Sequence, residues 1–212
     1  MESTLKVLMI GSDRKLFEEG SAVSERIKGY GTLVGELHIV VMTKSSLGLK
    51  KKQLAPNVWL YPTNSFSRWF YVRNASKLGK NIVRERQFVR GQSVISTQDP
   101  FESGLAGLRV KKKWRLPLEV QMHTDPFSPY FSGPLNFLRK IIAKRVLNSA
   151  SGIRVVSESL KQKLTAGNLH LKAPISVLPI YVDKEKIESA PVTFDLHARY
   201  PWRFIILCVS RL

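Results

Sequence analysis

Acidic residues are scarce in this sequence: 16 Asp and Glu stand against 34 Lys and Arg, a net charge of +18 over 212 residues. Cysteine is scarcer still. Cys208 stands alone, which excludes an internal disulfide and any multi-cysteine metal site, and its setting in an apolar run favours a buried thiol over a nucleophile. Long apolar runs are missing too, the longest being about six residues against the roughly 18 that cross a bilayer, so a soluble or peripheral protein is expected. The first eleven residues hold one lysine and too little apolar sequence for a signal peptide, which makes the cytoplasm the expected compartment. Gly-x-Gly-x-x-Gly, the P-loop and Asp-x-Asp do not occur, nor does any internal repeat.

What is present is unevenly placed. Residues 44–115 contain 16 Lys and Arg but only Glu85, Asp99 and Glu102 as acids, so this stretch carries +13 of the +18. An anionic partner is the physical implication of such a field, with membrane surface and nucleic acid as the two kinds. No helix-turn-helix, zinc or RNA-recognition signature supports nucleic acid.

Short β-branched apolar runs alternate with helical stretches, the pattern of a parallel sheet covered on both faces. Strands are expected near 5–11, 36–43, 58–62, 93–98, 117–123, 152–156 and 175–182, with helices over 18–30, 68–90, 102–113, 135–148 and 157–165. The expected fold class is therefore α/β, a doubly wound, mainly parallel, Rossmann-like sheet over residues 1–183. The charged, proline-containing stretch 184–203 reads as a linker. Residues 204–212, Phe-Ile-Ile-Leu-Cys-Val-Ser-Arg-Leu, read either as a last strand of the first sheet or as the first strand of a second domain cut short.

Ligands of such sheets bind beyond the carboxyl ends of the strands. The polar residues expected there are Gly11, Ser12 and Asp13; Asn64; Gln98 and Asp99; His123, Thr124 and Asp125; and Ser157. Two strands end in Asp-Pro-Phe, so Asp99 and Asp125 should occupy equivalent places. His123, next to Thr124 and Asp125, stands where the crevice opens. Near the first strand, Gly20 and Ser21 lead into a helix whose free N–H groups could meet a phosphate.

Within 68–90, Tyr71, Ala75, Leu78 and Ile82 share one helical face, while Arg73, Lys77, Lys80 and Arg84 repeat the same spacing about 200° around the helix. With Lys50, Lys51 and Lys52, Lys111, Lys112 and Lys113, and Trp69, Phe70 and Trp114, this could be a membrane-binding face for anionic lipid or simply a solvated one.

The segments QDPFESGLAGL (98–108) and VQMHTDPFSPYF (120–131), together with SGIRVVSESLKQKL (151–164), ISVLPIYVD (175–183) and VSRL (209–212), resemble the amino-terminal domain of family 4 glycosyltransferases of GT-B architecture. That resemblance covers nearly the whole chain. It implies a retaining transfer of a sugar from a nucleotide-diphosphate donor to a sugar, lipid or polysaccharide acceptor. It implies no metal and no cofactor beyond the nucleotide-sugar co-substrate. In that family the amino-terminal domain mainly binds the acceptor, and the carboxyl-terminal domain holds the nucleotide with a Glu-x7-Glu motif and a basic pair. By the same resemblance His123 is the catalytic contact to the reacting sugar, Gly20 and Ser21 lie near the donor diphosphate, and Arg211 matches the first member of the basic pair. The family commonly has paired glycines where this chain has Gly20-Ser21. Asp99, Thr124 and Asp125 complete the expected substrate-binding set. The 212 residues alone are expected to be inactive, and the cytoplasmic protein could sit peripherally on the inner face of the plasma membrane; the alternative is a non-catalytic α/β module that binds anionic membrane or nucleic acid.

Overall fold

The structure, a computed structural model, describes residues 3–129, 131–167, 171–180, 184–191, 193–200 and 202–206. It divides into two compact units, Met1–Pro179 and Ile180–Leu212.

The first unit is an eight-stranded sheet in the order β3-β4-β2-β1-β5-β6-β7-β8. The strands are β1 (Lys6–Gly11), β2 (Glu36–Val41), β3 (Lys52–Ala55), β4 (Val58–Pro62), β5 (Ser93–Thr97), β6 (Leu118–Met122), β7 (Gly152–Val155) and β8 (Ile175–Val177). Seven are mutually parallel; β3 alone is antiparallel, pairing with β4 at the sheet edge. The helices are α1 (Ala22–Gly31), α2 (Tyr71–Glu85), α3 (Glu102–Trp114), α4 (Pro134–Asn148) and α5 (Glu158–Ala166). The α/β class and the mainly parallel Rossmann-like sheet are as expected from the sequence.

The two-residue period of the strands sorts their side chains into two cores. Leu8, Ile10, Ile95, Leu118, Val120, Met122, Ile153 and Val155 join buried residues of α2, α3, α4 and α5. On the other face Val7, Met9, Leu37, Ile39, Val41, Val58 and Leu60 pack with Leu16 and with Ile27 of α1. Further along that face a polar row crosses three strands: Gln121 donates to Ser96 Oγ at 3.0 Å, and Arg154 donates to Gln121 Oε1 at 3.4 Å. Helix α3 lies close to the sheet because Gly107 has no side chain. A Cβ there would stand 2.5 Å from Thr97 Cγ2.

Several boundaries differ from the sequence expectation, each for a local reason. The helix expected from residue 18 begins at Ala22, after the separate 3-10 turn Arg14–Phe17, because Gly20 adopts φ +68° and breaks the run. The helix expected over 68–90 is a 3-10 turn, Arg68–Phe70, followed by α2. It stops at Glu85 as Gln87 turns to φ 51° and Phe88 enters the core. Strand β8 ends at Val177, two residues before Pro179, which has no N–H to give a ladder. Strand β3 is not readable beforehand, since Lys-Gln-Leu-Ala is short and carries no alternation.

In the second unit the stretch expected as a linker contains the short helices α6 (Lys184–Glu188) and α7 (Leu196–Arg199), the latter capped by Asp195, which accepts from the His197 and Ala198 N–H groups at 2.8 and 3.2 Å. Of the expected strand 204–212, residues 207–212 lie outside the described residues; Phe204 and Ile206 are exposed.

Candidate functional site

The carboxyl ends of β1, β5, β6 and β7 bring most of the expected site residues to one rim. At β1 the chain leaves Gly11 into a 3-10 turn held by Asp13, whose Oδ1 accepts from the Lys15 N–H at 3.1 Å. Gly20 then permits the left-handed bend, and Ser21 caps α1. Its hydroxyl donates to the Lys15 carbonyl at 2.7 Å and accepts from the Ser24 N–H at 3.2 Å. The Ser21 side chain is therefore engaged in closing the loop, which leaves backbone N–H groups at the start of α1 as what this segment can offer an anion.

At β5 and β6 the two Asp-Pro-Phe segments form matching turns. Asp99 Oδ1 accepts from the Phe101 N–H at 2.7 Å, and Asp125 Oδ1 accepts from the Phe127 N–H at 2.8 Å. Asp99 also takes a short hydrogen bond from the Ser103 hydroxyl. Burial pushes its carboxyl above the ordinary range, outweighing the Ser103 and Phe101 hydrogen bonds that favour the charged form. Phe101 stacks on Phe131 with centroids 5.3 Å apart, and Arg139 of α4 pairs with Glu102 at 2.8 Å while lying over the Phe101 ring. The β5 loop, the β6 loop and the starts of α3 and α4 are thus joined by direct side-chain contacts.

His123 follows β6 directly, two residues beyond Gln121 and on the same sheet face. It is exposed and has no hydrogen bond to another described residue, as is also true of Thr124. Partial desolvation lowers the imidazole below its ordinary range; Arg154 and Arg26 add to the lowering, and Asp99 opposes it. Those charges identify the neighbourhood: Asp99 from the β5 loop, Arg154 from β7, Arg26 from α1. Among the described residues, Arg154 Nε is buried without a hydrogen-bond partner. Neither arginine is evident from the sequence alone, although a charged residue inside the apolar run Gly-Ile-Arg-Val-Val was the available signal. Among the described residues no three His, Cys, Asp or Glu side chains are grouped to hold a metal. Arg211 lies outside the described residues.

Residues 36–186, well over half the chain, match the family model described as Glycosyltransferase Family 4. The chain belongs to glycosyltransferase family 4. No curated protein matches it. Among solved structures, this family 4 chain is similar to a sucrose-phosphate synthase from Thermosynechococcus elongatus, with TM-score 0.59 and 12% identity over 86% of this chain and 92% of that one. It is also similar to a UDP-GlcNAc 2-epimerase from Methanocaldococcus jannaschii, with TM-score 0.51 and 14% identity over 82% of this chain and 45% of that one. Identities this low speak for the shared fold. They place the sheet of this family 4 chain among GT-B folds.

The basic region of the family 4 chain is sorted by the fold into engaged and free cations. On α2, Tyr71, Ala75 and Ile82 are buried and Leu78 is half-buried, while Arg73, Lys77 and Arg84 are exposed and Lys80 half-buried, none of the four in an ion pair among the described residues. Phe66 and Trp69, just before α2, are 87% and 85% exposed. Other members of the expected patch are occupied elsewhere. Lys52 pairs with Glu19 at 3.1 Å, and Lys51 lies over the Tyr61 ring at 5.0 Å. Lys111 donates to the Ser149 carbonyl and the Ser151 hydroxyl at 2.7 and 2.8 Å. Trp114, expected to be exposed, is half-buried against the core. Among the described residues no helix is long and apolar enough to cross a membrane.

Proposed function

We propose that this chain forms the acceptor-binding half of a retaining glycosyltransferase that uses a nucleotide-diphosphate sugar, with His123 contacting the reacting sugar. The observation that carries this reading is the state of His123. It is a solvent-facing imidazole at the carboxyl end of a central parallel strand, with no hydrogen bond to another described residue and with its charged form disfavoured. A neutral imidazole with both nitrogens free suits a sugar hydroxyl, to which it can donate or accept without introducing charge. In this reading Gly20 shapes the loop that brings the α1 N–H groups to the donor diphosphate, Thr124 adds an exposed hydroxyl, and Asp99 and Asp125 hold the rim through their turns. Arg211 would meet the diphosphate as negative charge develops on it, with no metal ion and the nucleotide sugar as the sole co-substrate. The isolated 212 residues would not turn over, because that stabilisation needs groups from a second domain.

The membrane reading assigns Arg73, Lys77, Lys80 and Arg84 to an anionic leaflet, at the cytoplasmic surface where a lipid or polysaccharide acceptor is assembled. Arg73, Lys77 and Arg84, exposed and unpaired among the described residues on the helix that follows exposed Phe66 and Trp69, support it.

The test of the catalytic assignment is His123→Ala in the longest active form of the protein. Loss of one positioned contact is expected to raise the barrier by about 2–4 kcal/mol with the melting temperature unchanged. An early-melting variant that keeps its rate while folded would make His123 structural.

A further inference from the structure

Helix α4 is apolar on two opposite sides. Ala143, Val146 and Leu147 are buried in the core. Phe137, Leu138 and Ile141 stand roughly opposite them at about 100° per residue, and they are 67%, 49% and 52% exposed. Leu135, at the same end, is 54% exposed. A helix on the surface of a soluble domain presents polar residues outward, so three large apolar side chains at the centre of the outer face are a feature the fold itself does not require.

The border of this patch is cationic. Helix α4 contains Arg139, Lys140, Lys144 and Arg145 and no acidic residue. Arg139 is held by Glu102, but Lys144 and Arg145 are exposed one turn beyond Ile141 and unpaired among the described residues. Its position is equally specific. Glu102 is the first residue of α3, directly after the β5 loop, so the Arg139–Glu102 pair fixes the first half of α4 at the crevice end of the helix layer.

We propose that the outer face of the first half of α4 inserts among the acyl chains of an anionic phospholipid leaflet. An apolar stripe flanked by Lys and Arg without acids is the composition of an interfacial helix. An anionic leaflet meets the cationic border with negative charge over its whole surface, whereas a protein partner would need acids placed to match it. A second copy of this chain would set +18 against +18. Helix α3 joins α4 to α2 in one layer, and the exposed cations of α2 would draw the same leaflet toward that layer. Only the consequence, a crevice seated where a lipid-borne acceptor is reached, rests on the acceptor reading above.

The experiment uses the full chain with phosphatidylcholine vesicles, with and without phosphatidylglycerol, and reads membrane binding rather than sugar transfer. Co-sedimentation of the triple variant Phe137→Ser/Leu138→Ser/Ile141→Ser should fall about tenfold or more, given the apolar area withdrawn, with an unchanged thermal melt because the three side chains are exposed. In a Cys208→Ser background, an environment-sensitive fluorophore on Phe137→Cys should shift to the blue on phosphatidylglycerol-containing vesicles, and one on Arg84→Cys should shift much less. A solvent-like signal at position 137 on vesicle-bound protein would overturn the insertion of α4 while leaving the α2 reading standing. Equal binding by the triple variant, or a dimer in solution that the triple variant dissociates, would also overturn it. None of these outcomes depends on whether the protein transfers sugar.

Discussion

Asp99 and Asp125 make the same turn at the ends of neighbouring strands, each accepting from the N–H two residues ahead, at 2.7 Å from Phe101 and 2.8 Å from Phe127. The repeated Asp-Pro-Phe is therefore a structural device before it is anything else. The proline fixes the backbone, the carboxylate takes up the freed N–H, and the phenylalanine is directed toward the helix layer. At β5 the device also binds Ser103 in the first turn of α3.

Asp99→Ala should cost about 1–2 kcal/mol, the loss of a side chain that satisfies a helix start. Asp99→Asn should be far milder, since the amide oxygen can still accept. The sign of its pH dependence follows from burial. The folded carboxyl is raised above the ordinary 3.8, so the native state holds its proton longer, and stability declines as pH rises through the folded value. The asparagine variant should lack that decline, and urea unfolding of all three proteins across the acidic range would show it. If Asp99→Asn folds normally yet loses turnover in the longer active protein, the residue binds substrate as well.

His123 should titrate below 6.5, with partial desolvation as the first cause and Arg154 and Arg26 as further ones. Removing a cation must move it up, and removing the neighbouring anion must move it down. Arg154→Gln should therefore raise the His123 titration and Asp99→Asn should lower it, as followed by proton NMR of the ring resonances. No response to either change would mean that these side chains do not face His123 in solution.

Buried His38 makes a separate prediction. It stacks on Trp59 at 4.7 Å, meets Tyr61 OH at 3.0 Å and Glu36 at 2.8 Å, and is surrounded by Lys6 and Arg86 as the other charges. Desolvation lowers it below 6.5 in spite of Glu36. The unfolded chain therefore takes up a proton that the folded one refuses, and stability that is full above about pH 6.5 falls as pH drops toward the folded value. The loss amounts to about 1.4 kcal/mol for each tenfold by which folding weakens proton binding. Glu36, held below its ordinary 4.5 by His38 and Lys6 against the opposing effect of burial, adds a further loss only in stronger acid. Replacing His38 with Gln should flatten the dependence between about pH 7 and 5.5, the range where histidine titrates. An unchanged slope would assign it to other groups.

Neutralising Arg73, Lys77, Lys80 and Arg84 together to Gln should weaken binding to anionic vesicles and leave the fold intact. Exposed charges contribute little to stability, whereas each cation near a negative leaflet contributes roughly 1 kcal/mol. Added salt should imitate the variant, the Debye length falling to about 3 Å at 1 M. Equal co-sedimentation of both proteins, or binding indifferent to salt, would make this a solvated face.

Much of this family 4 domain was legible in its sequence because the information is periodic. Apolar pairs such as Leu8 and Ile10 against Val7 and Met9 specify a strand buried on both faces, and the steps from Tyr71 to Ile82 and from Arg73 to Arg84 specify the two sides of α2. The rim could be located for the same reason: Asp99, His123 and Asp125 follow strands, and the end of a parallel strand is a place before it is a contact. What periodicity does not carry is which distant group each side chain meets. Lys111 and Lys112 are alike in sequence, yet one reaches the Ser149 carbonyl and the other faces water. Trp114 reads as surface, yet the fold packs it half-buried against the core. Arg154 and Arg26, from β7 and α1, become neighbours of His123 only when the sheet orders its strands. Helix α4 is the plainest case, because its sequence lets either apolar side be the buried one. The core takes in Ala143, Val146 and Leu147, with Ile142 partly buried against it, and leaves Phe137, Leu138 and Ile141 outward, a choice made by the shape of the sheet and its helix layer rather than by the helix.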